Sequence, residues 1–111
     1  MKLQENDIEL YRGDDEQYVL SLVNDEGVIS LDNVRFDLHA VANQKIVLEL
    51  STENNLITVE KGEVTLHFNH NLTEQADWRV AKYDLQMTDA LGKVKTVLVG
   101  KIMLTADITK I

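Results

Sequence analysis

The chain has 111 residues, a hydrophobic fraction of 44% and no cysteine, a composition typical of one globular domain rather than a disordered or disulfide-rich protein. Its formal net charge of −8 disfavours nucleic-acid binding, because an acidic surface repels phosphate backbones. No apolar run approaches the ~20 residues of a membrane helix, and the first residues lack the apolar stretch of a signal peptide. We therefore expect a single domain over residues 1 to 111, with no membrane segment and no signal peptide.

The chain begins with the polar residues 1 to 6, which we expect to be loosely held unless another element docks on them. Ile8 and Leu10 follow with a glutamate between them, and this alternation predicts a short edge strand. The next residues, Arg12 to Glu16, predict a turn in which Gly13 supplies backbone freedom.

Period-two alternation continues through the middle of the chain and predicts strands that are separated by turns. Successive side chains of a strand point to opposite faces of the sheet, so each inward row should be apolar. Turns with Asn, Asp or Gly recur at spacings typical of an antiparallel sandwich or barrel. The predicted inward rows are Tyr18, Leu20 and Leu22; Val34, Phe36, Leu38 and Ala40; Ile46, Leu48 and Leu50; and Val64, Leu66 and Phe68.

The segment from Asn69 to Trp78 interrupts the alternation and predicts a crossover between the two sheets of a sandwich. We predict one short helical turn near residues 72 to 77, capped by Asn71 or Thr73. Two roles are open to Trp78, the only tryptophan: it closes the core, or it stacks on a ligand at a rim. Core closure is favoured, because a large ring beside a crossover usually covers a core.

The last third of the chain predicts a long antiparallel hairpin, in which residues 79 to 88 pair with residues 93 to 105. Its turn runs from Asp89 to Gly92; the aspartate side chain bonds nearby backbone N–H groups, and the glycine takes a positive φ. The two inward rows of this hairpin are predicted as Ala81, Tyr83, Leu85 and Met87 and as Val94, Leu98, Ile102 and Leu104.

These elements predict an all-β protein, an antiparallel β-sandwich of about seven or eight strands with one short helical turn. A chain of this length buries roughly 65% of the surface that it exposes when unfolded. The predicted core includes Leu20, Leu22, Phe36, Leu38, Leu48, Leu66, Phe68, Tyr83, Leu85, Ile102 and Leu104.

No residue pattern predicts a catalytic or metal site, so we expect a protein that is not an enzyme and needs no cofactor. His39 and His67 fall on polar strand faces, and they could meet if their strands were neighbours in a sheet. However, His67 and His70 are three residues apart, a spacing that does not place both on one strand face. No carboxylate is well placed as a third ligand, and no serine lies in a Gly-x-Ser-x-Gly elbow. We expect no metal ion and no small-molecule substrate.

The final strand carries a second apolar set, which is the signal of an interaction surface. In an unbulged strand Val97, Val99 and Met103 lie opposite the inward row. A β-bulge at Gly100 would instead place the two valines inside and leave Leu98 and Met103 outside. Either register leaves apolar residues on the second face, which is covered either by another chain or by the crossover segment. The candidate interface residues are Val97, Val99 and Met103.

Two stretches of the chain have the form of a known family. Residues Ile8 to Asp15 read IELYRGDD, and Tyr83 to Val94 read YDLQMTDALGKV, followed by a strand that contains glycine. Both resemble small Ig-like β-sandwich proteins encoded among the structural genes of tailed phages and prophages. Members of that family typically have a strand ending in Arg-Gly-Asp, a strand with an Asp-x-Gly turn, and a closing hairpin of this form. The resemblance extends from about Ile8 to Thr109 and brings no catalytic residues.

The resemblance implies an antiparallel Ig-like sandwich that acts by protein–protein contact, as a structural, assembly or attachment module of the phage tail or baseplate. It implies partners among other phage structural proteins or a second copy of the chain, and a location in the host cytoplasm during assembly and then in the virion. A hypothesis of another class is a soluble acidic protein that binds or inhibits a basic site on a host protein. The first predicts exposed apolar strand surface; the second predicts a stable monomer with a salt-sensitive partner.

Overall fold

The computed structural model describes residues 4–21, 23–24, 27–28, 33–60 and 62–106. One 3₁₀ helix, His70–Leu72, is the only helix among these residues. The strands are, in chain order, β1 Gln4–Glu5, β2 Ile8–Tyr11, β3 Glu16–Ser21, β4 Val23–Asn24, β5 Gly27–Val28, β6 Arg35–Ala42, β7 Lys45–Ser51, β8 Ile57–Glu60, β9 Glu63–Phe68, β10 Val80–Thr88 and β11 Val94–Thr105.

Two sheets enclose one hydrophobic core. In the large sheet β11, β10, β6 and β7 follow one another in this order, and β1 and β2 lie end to end along the free side of β11. We count β1 and β2 as one interrupted edge strand, so the large sheet is five strands wide. The small sheet has the order β3–β9–β8, and β4 pairs with β5 in a separate ribbon. The fold is therefore the predicted all-β sandwich, with eight strands divided five and three.

One edge of the large sheet departs from the antiparallel pattern. There the start of the chain runs parallel to its last strand, with Ile8 opposite Ile102 and Gln4 opposite Leu98. Ile8 is fully buried, because this edge strand covers the side of the core. The predicted loose start is therefore held by β11 from Gln4 onward, and residues 1–3 lie outside the described residues.

Most residues of the predicted inward rows lie in the core. Leu20 packs against the core although it is partly exposed, and Leu22 lies outside the described residues. The rings of Phe68 and Tyr18 meet edge to face with 6.4 Å between their centroids, a favoured aromatic arrangement. The other predicted core residues are all buried: Phe36, Leu38, Leu48, Leu66, Phe68, Tyr83, Leu85, Ile102 and Leu104.

The long hairpin of β10 and β11 forms as predicted and contains a one-residue register shift. Strand β11 has an extra residue, Val97, opposite the step from Leu85 to Gln86. An extra residue reverses the alternation of the strand, so Val97 and its neighbour Leu98 are both buried. Val94 precedes the shift and is exposed, so its predicted inward position is wrong.

A second register shift in the large sheet has the same effect. Strand β7 has an extra residue, Val47, opposite the step from Ala40 to Val41 in β6. Leu48, after the shift, faces the core as predicted. Ile46, before the shift, is exposed on the opposite face, and its predicted inward position is also wrong.

Gly100 is a position of close backbone approach and not a bulge. The edge strand is interrupted at Asn6 and Asp7, and the Asn6 carbonyl oxygen lies 2.1 Å from the position that a Cβ on Gly100 would occupy. The Tyr83 hydroxyl donates a hydrogen bond to this same carbonyl. The backbone N–H of Lys101 donates to Asp7 Oδ1 at 3.0 Å. Glycine is therefore required here by space, which is the other common reason for a glycine inside a strand.

The turn of the hairpin has the predicted chemistry. Asp89 Oδ1 accepts hydrogen bonds from the backbone N–H groups of Leu91 at 2.9 Å and Lys93 at 3.0 Å. Gly92 has a φ of 84°, in the left-handed region that favours glycine. The turn thus fixes where β10 ends and β11 begins.

The helical turn of the crossover lies slightly earlier than predicted. The 3₁₀ helix His70–Leu72 precedes most of the predicted range, residues 72 to 77. Its N-cap is Asn69, which makes no side-chain cap hydrogen bond. Neither Asn71 nor Thr73 is therefore the N-cap, and Thr73 is the C-cap. A helix of one turn leaves few backbone groups to satisfy, and turn hydrogen bonds satisfy them here.

Thr73 and Trp78 attach the crossover to the body of the sandwich. Thr73 is buried, and its hydroxyl oxygen accepts a hydrogen bond from the backbone N–H of Gly13 at 2.9 Å. Trp78 is 6% exposed and belongs to the core cluster. The predicted role of Trp78 in closing the core is confirmed, and a ring so deeply buried is not available for stacking on a ligand at a rim.

Leu85→Ala should lower the free energy of unfolding by about 2–5 kcal/mol, because Leu85 is fully buried and its truncation leaves a cavity between the sheets. The measurement is chemical denaturation monitored by tryptophan fluorescence. Leu91→Ala is the control: Leu91 is 83% exposed in the turn, and its loss should change stability by less than about 0.5 kcal/mol.

Gly100→Ala should lower the free energy of unfolding by about 1–3 kcal/mol, because the new methyl group displaces the Asn6 carbonyl. In hydrogen exchange, the backbone N–H of Asn6, which donates to the Val99 carbonyl at 2.9 Å, should lose protection before the rest of the sheet. Unchanged protection at Asn6 would contradict the close approach.

Candidate functional site

The large sheet turns one face to the core and the other outward, away from the small sheet. Five of the seven large apolar side chains that are exposed among the described residues lie on this outward side: Tyr11, Val41, Ile46, Val80 and Val94. We define the outer face by the outward side chains of β6, β7, β10 and β11, namely Arg35, Asp37, His39, Val41, Ile46, Glu49, Ser51, Val80, Lys82, Asp84, Gln86, Thr88, Val94, Thr96, Val99, Lys101, Met103 and Thr105.

Cross-strand pairing arranges the centre of the outer face in two rows that run across the strands. The rows are two residues apart along β6, β10 and β11, a separation of about 7 Å. We name the first the acidic row: Glu49, His39, Asp84 and Val99. We name the second the lysine row: Ile46, Val41, Lys82 and Lys101.

Apolar side chains occupy one end of each row and the border beside them. Val41 is 41% exposed and Ile46 is 53% exposed, and the two are paired across β6 and β7. They line a shallow groove together with Val99, and the lining residues among those described include none from the crossover. Val80, 52% exposed, pairs with Met103 at the end of the face. The crossover therefore does not cover this groove.

The three predicted interface residues are divided between two places. Val97 is 1% exposed and lies in the core, a correction that follows from the register shift at this residue. Val99 and Met103 alternate with buried residues beyond the shift, and both are half-buried on the outer face. The structure thus places two of the three residues on one surface and removes the third from it.

Asp7 lines a groove together with the two lysines of the outer face, but it forms no ion pair with either of them. Lys82 and Lys101 are directly opposite each other in the β10–β11 ladder, and neither makes an ion pair among the described residues. Asp84 likewise makes none there. Like charges directly opposite in a sheet are destabilising, so an external carboxylate near the lysines would be favourable.

The charges at the other end of the outer face are paired. Arg35 donates from Nε to Asp37 Oδ2 at 2.9 Å, and it also forms an ion pair with Glu53. The hydrogen bond that Arg35 donates to Asp37 is the main reason that the pKa of Arg35 is raised. These three residues therefore need no external partner, in contrast to Lys82 and Asp84.

Tyr83 is a buried residue of β10, beneath the outer face, and its pKa is raised. Burial raises the pKa of Tyr83 to about 12, and the charges of Asp7 and Tyr18 act in the same direction. Its hydroxyl donates to the Asn6 carbonyl, so the group is neutral at physiological pH and engaged in the edge contact. Tyr83 thus holds the interrupted edge strand in place.

The structure keeps the three histidines apart. His39 lies on the outer face of the large sheet, with its Nε2 4.0 Å from Glu49 Oε2. His67 lies in the small sheet, between Gln17 and Thr58. His70 lies at the start of the 3₁₀ helix. The sequence left open a meeting of His39 and His67 in one sheet, and the topology assigns them to different sheets.

The described residues contain no group of three or more His, Cys, Asp or Glu side chains that could hold a metal ion. No helix in the described part of the chain has the length and apolar character that crossing a membrane requires. A small cavity of about 70 Å³ lies at the end of the sandwich, lined by Arg12, Trp78 and Leu104 among others. Its size suits a few water molecules, since one water occupies roughly 30 Å³ of liquid.

Comparison with known proteins shows the fold class. No protein-family model and no curated protein matches the chain. A chain of the crystal structure of ICOS in complex with ICOS-L and an anti-ICOS-L VNAR domain is similar, with 14% identity and a TM-score of 0.52. The alignment covers 95% of this chain and 56% of that chain, so the protein spans little more than half of its neighbour's length.

A second solved structure, the extracellular domain of the voltage-gated sodium channel beta4 subunit, aligns at 10% identity and a TM-score of 0.48, and the alignment covers 97% of each chain. At such identities a structural likeness shows the fold alone. The fold is an Ig-like β-sandwich, and the Ig-like part of the resemblance noted in the sequence is confirmed.

Four apolar residues of the outer face were not predicted from the sequence as part of an interaction surface: Val41, Ile46, Val80 and Val94. Ile46 was assigned to the core because the register shift at Val47 has no signal in the alternation of apolar residues. Val41 and Val80 did interrupt the polar rows of their strands. A systematic search for apolar residues in polar rows would have found both.

Protonation of Asp15 should weaken the attachment of the crossover. Asp15 Oδ1 accepts from the His70 backbone N–H at 2.6 Å and lies 3.0 Å from His70 Nδ1. The backbone hydrogen bond is the main reason that the pKa of Asp15 is lowered from 3.8. A lowered folded-state pKa contributes stability above pH ~3.8, and this stability is lost as the pH falls through the folded-state value.

Two measurements check this expectation. An NMR titration should give the Asp15 carboxyl a pKa below 3.8 in the folded protein. Asp15→Asn should remove this contribution, so the stability of the variant should fall less steeply than that of the wild type between about pH 5 and pH 2. Identical pH profiles would show that the contact with His70 has no energetic effect.

Proposed function

We propose that this protein is a non-enzymatic module that acts by protein–protein contact through the outer face of its large sheet. The observation that carries the proposal is the concentration of exposed apolar side chains on this face, with Val41, Ile46 and Val80 more than 40% exposed. The outward side of an antiparallel sheet that faces only water normally carries polar residues. An apolar face crossed by charged residues is instead typical of an interaction surface.

The shape of the face supports contact with a protein rather than with a small ligand. The grooves on it are shallow, and side chains of four strands line them together. Small-molecule sites are concave and bury most of their ligand, whereas protein interfaces are broad and comparatively flat. A flat sheet surface on which apolar side chains flank charged rows suits a second folded surface.

In its finer form, the proposal is that the module belongs to a tailed-phage particle, as a structural, assembly or attachment component of the tail or baseplate. The support is the resemblance of Ile8 to Asp15 and of Tyr83 to Val94 to that family. In the structure these stretches form the edge strand β2 with the turn after it, and the β10–β11 hairpin. Partners would be other structural proteins of the particle or a second copy of the chain.

A second candidate is a soluble acidic protein that binds a basic site on a host protein. The net charge of −8 favours it, because electrostatic attraction steers such encounters. The two candidates differ in what the outer face does. A binder steered by its overall charge should lose affinity steeply with salt, whereas contact through the apolar face should depend weakly on salt.

Val99→Lys tests the proposal. Val99 is half-buried on the outer face, and a lysine can direct its charge to solvent from this position, so the melting temperature should change by less than about 4 °C. Binding to the partner, or incorporation into particles, should fall at least about tenfold, because the charge would be desolvated in the interface.

Val19→Lys is the control, because it makes the same change of residue on β3 of the small sheet, where Val19 is 55% exposed. It should leave partner binding and particle incorporation unchanged. Loss of contact in both variants, or in neither, would contradict the proposal that the outer face is the working surface. Mass spectrometry of purified phage particles tests the finer form, which predicts that the protein is found in them.

A further inference from the structure

The outer face carries a balanced set of charges although the chain as a whole is acidic. At its centre two carboxylates, Glu49 and Asp84, lie beside two ammonium groups, Lys82 and Lys101. A formal net charge of −8 for the whole chain therefore places the acidic excess elsewhere. A strongly basic partner would be repelled by the lysine row, and a strongly acidic partner would be repelled by the acidic row.

A surface on which rows of opposite charge lie side by side is complementary to a copy of itself. We propose that the partner of the outer face is a second copy of this chain. This inference rests on the proposed contact function. The two-fold axis of this dimer lies between the facing sheets and runs across the strands, midway between the lysine row and the acidic row. Closed two-fold symmetry is the commonest arrangement of homo-oligomers.

This axis brings the two rows of one copy onto the opposite rows of the other. Lys82 of each copy then faces Asp84 of the second copy, which forms the same ion pair twice. Val41 faces His39 of the second copy, and Lys101 faces Val99. The lysine stem can pack on the valine while its ammonium group stays near the acidic row.

The arrangement also resolves the charges that the single chain leaves unpaired. Lys82 and Lys101 are opposite each other in the ladder, and Asp84 has no ion-pair partner among the described residues. The Asp84 carboxylate of the second copy, which faces Lys82 and lies one strand away from the residue facing Lys101, offsets the repulsion between the two ammonium groups. Isolated exposed ion pairs contribute little, but a symmetric pair flanked by apolar side chains is partly desolvated and contributes more.

The size of the face predicts a weak dimer. Strands about 4.8 Å apart with a rise of about 3.4 Å per residue give the four strands an extent of roughly 19 by 27 Å. Two such faces bury on the order of 1,000 Å² in total, which is at the lower end for specific interfaces. We therefore expect a dissociation constant in the range of about 1 µM to 1 mM, so the protein has to be examined at high concentration.

Sedimentation velocity of the purified protein over this concentration range should show a reversible monomer–dimer equilibrium. In the Lys82→Asp variant, positions 82 and 84 both carry a carboxylate. In the Asp84→Lys variant, both positions carry an ammonium group. Each variant alone should dimerise at least about tenfold more weakly, because like charges now face each other across the axis. The fold should tolerate both changes, since neither residue makes an ion pair among the described residues.

Mixing the two variants is the decisive arm of the experiment. In a mixed dimer both facing pairs are complementary again, so the equimolar mixture should recover dimers that contain one copy of each variant. A mass tag on one variant identifies them by native mass spectrometry. The double variant Lys82→Asp with Asp84→Lys should also dimerise, because it exchanges the two charges and retains the symmetry.

Lys93→Asp and Glu63→Lys are the matched controls, since they make the same changes of charge at exposed positions outside the two rows, in the hairpin turn and on β9 of the small sheet. Neither should affect the dimer. A protein that stays monomeric at the highest concentration, or variants that do not recover dimers when mixed, would overturn the proposal. If Val99→Lys still abolished binding to another partner in that case, the proposed contact function would stand and the inferred second copy would not.

Discussion

The pairing of Leu85 with Leu98 in the β10–β11 hairpin is the contact on which both faces of the large sheet depend. These side chains meet in the core, and the extra residue Val97 follows directly on the turn side of the pair. From Leu98 to the end of β11, this pairing decides which side chains point outward, and Val99 is one of them. A different register by one residue would exchange the core row for the outer row, because side chains alternate with a period of two.

The two register shifts give the outer face much of its apolar character. The extra residue Val97 is buried in the core and the extra residue Val47 packs against it partly buried, and at both places the alternation reverses. Ile46 and Val94, which precede these residues, are consequently directed outward instead of inward. Bulges are commonly retained where they re-aim a side chain, and here both act on the same face. The apolar surface is thus produced by the geometry of pairing as much as by composition.

The sequence predicted the fold because strand alternation and turn chemistry are local properties. The core row of β6 and the turn at Asp89 are where the pattern placed them. The positions of Ile46 and Val97 could not be predicted from the sequence. A bulge depends on which residue of the neighbouring strand is opposite, and the sequence of one strand does not specify this register. The role of Gly100 depends in the same way on Asn6, which is distant in sequence. Local patterns therefore identify the elements, and only pairing identifies the surface.

The parallel edge strand has a consequence for how the protein is made. Ile8 of β2 pairs with Ile102 of β11, so β2 can join the sheet only after β11 has been synthesised. During synthesis at about 5–20 residues per second, Ile8 leaves the ribosome several seconds before its partner does. Contacts between residues so distant along the chain slow folding, because the loop between them is closed late. In that interval the apolar residues of β2 are uncovered, and transiently exposed apolar surface favours aggregation.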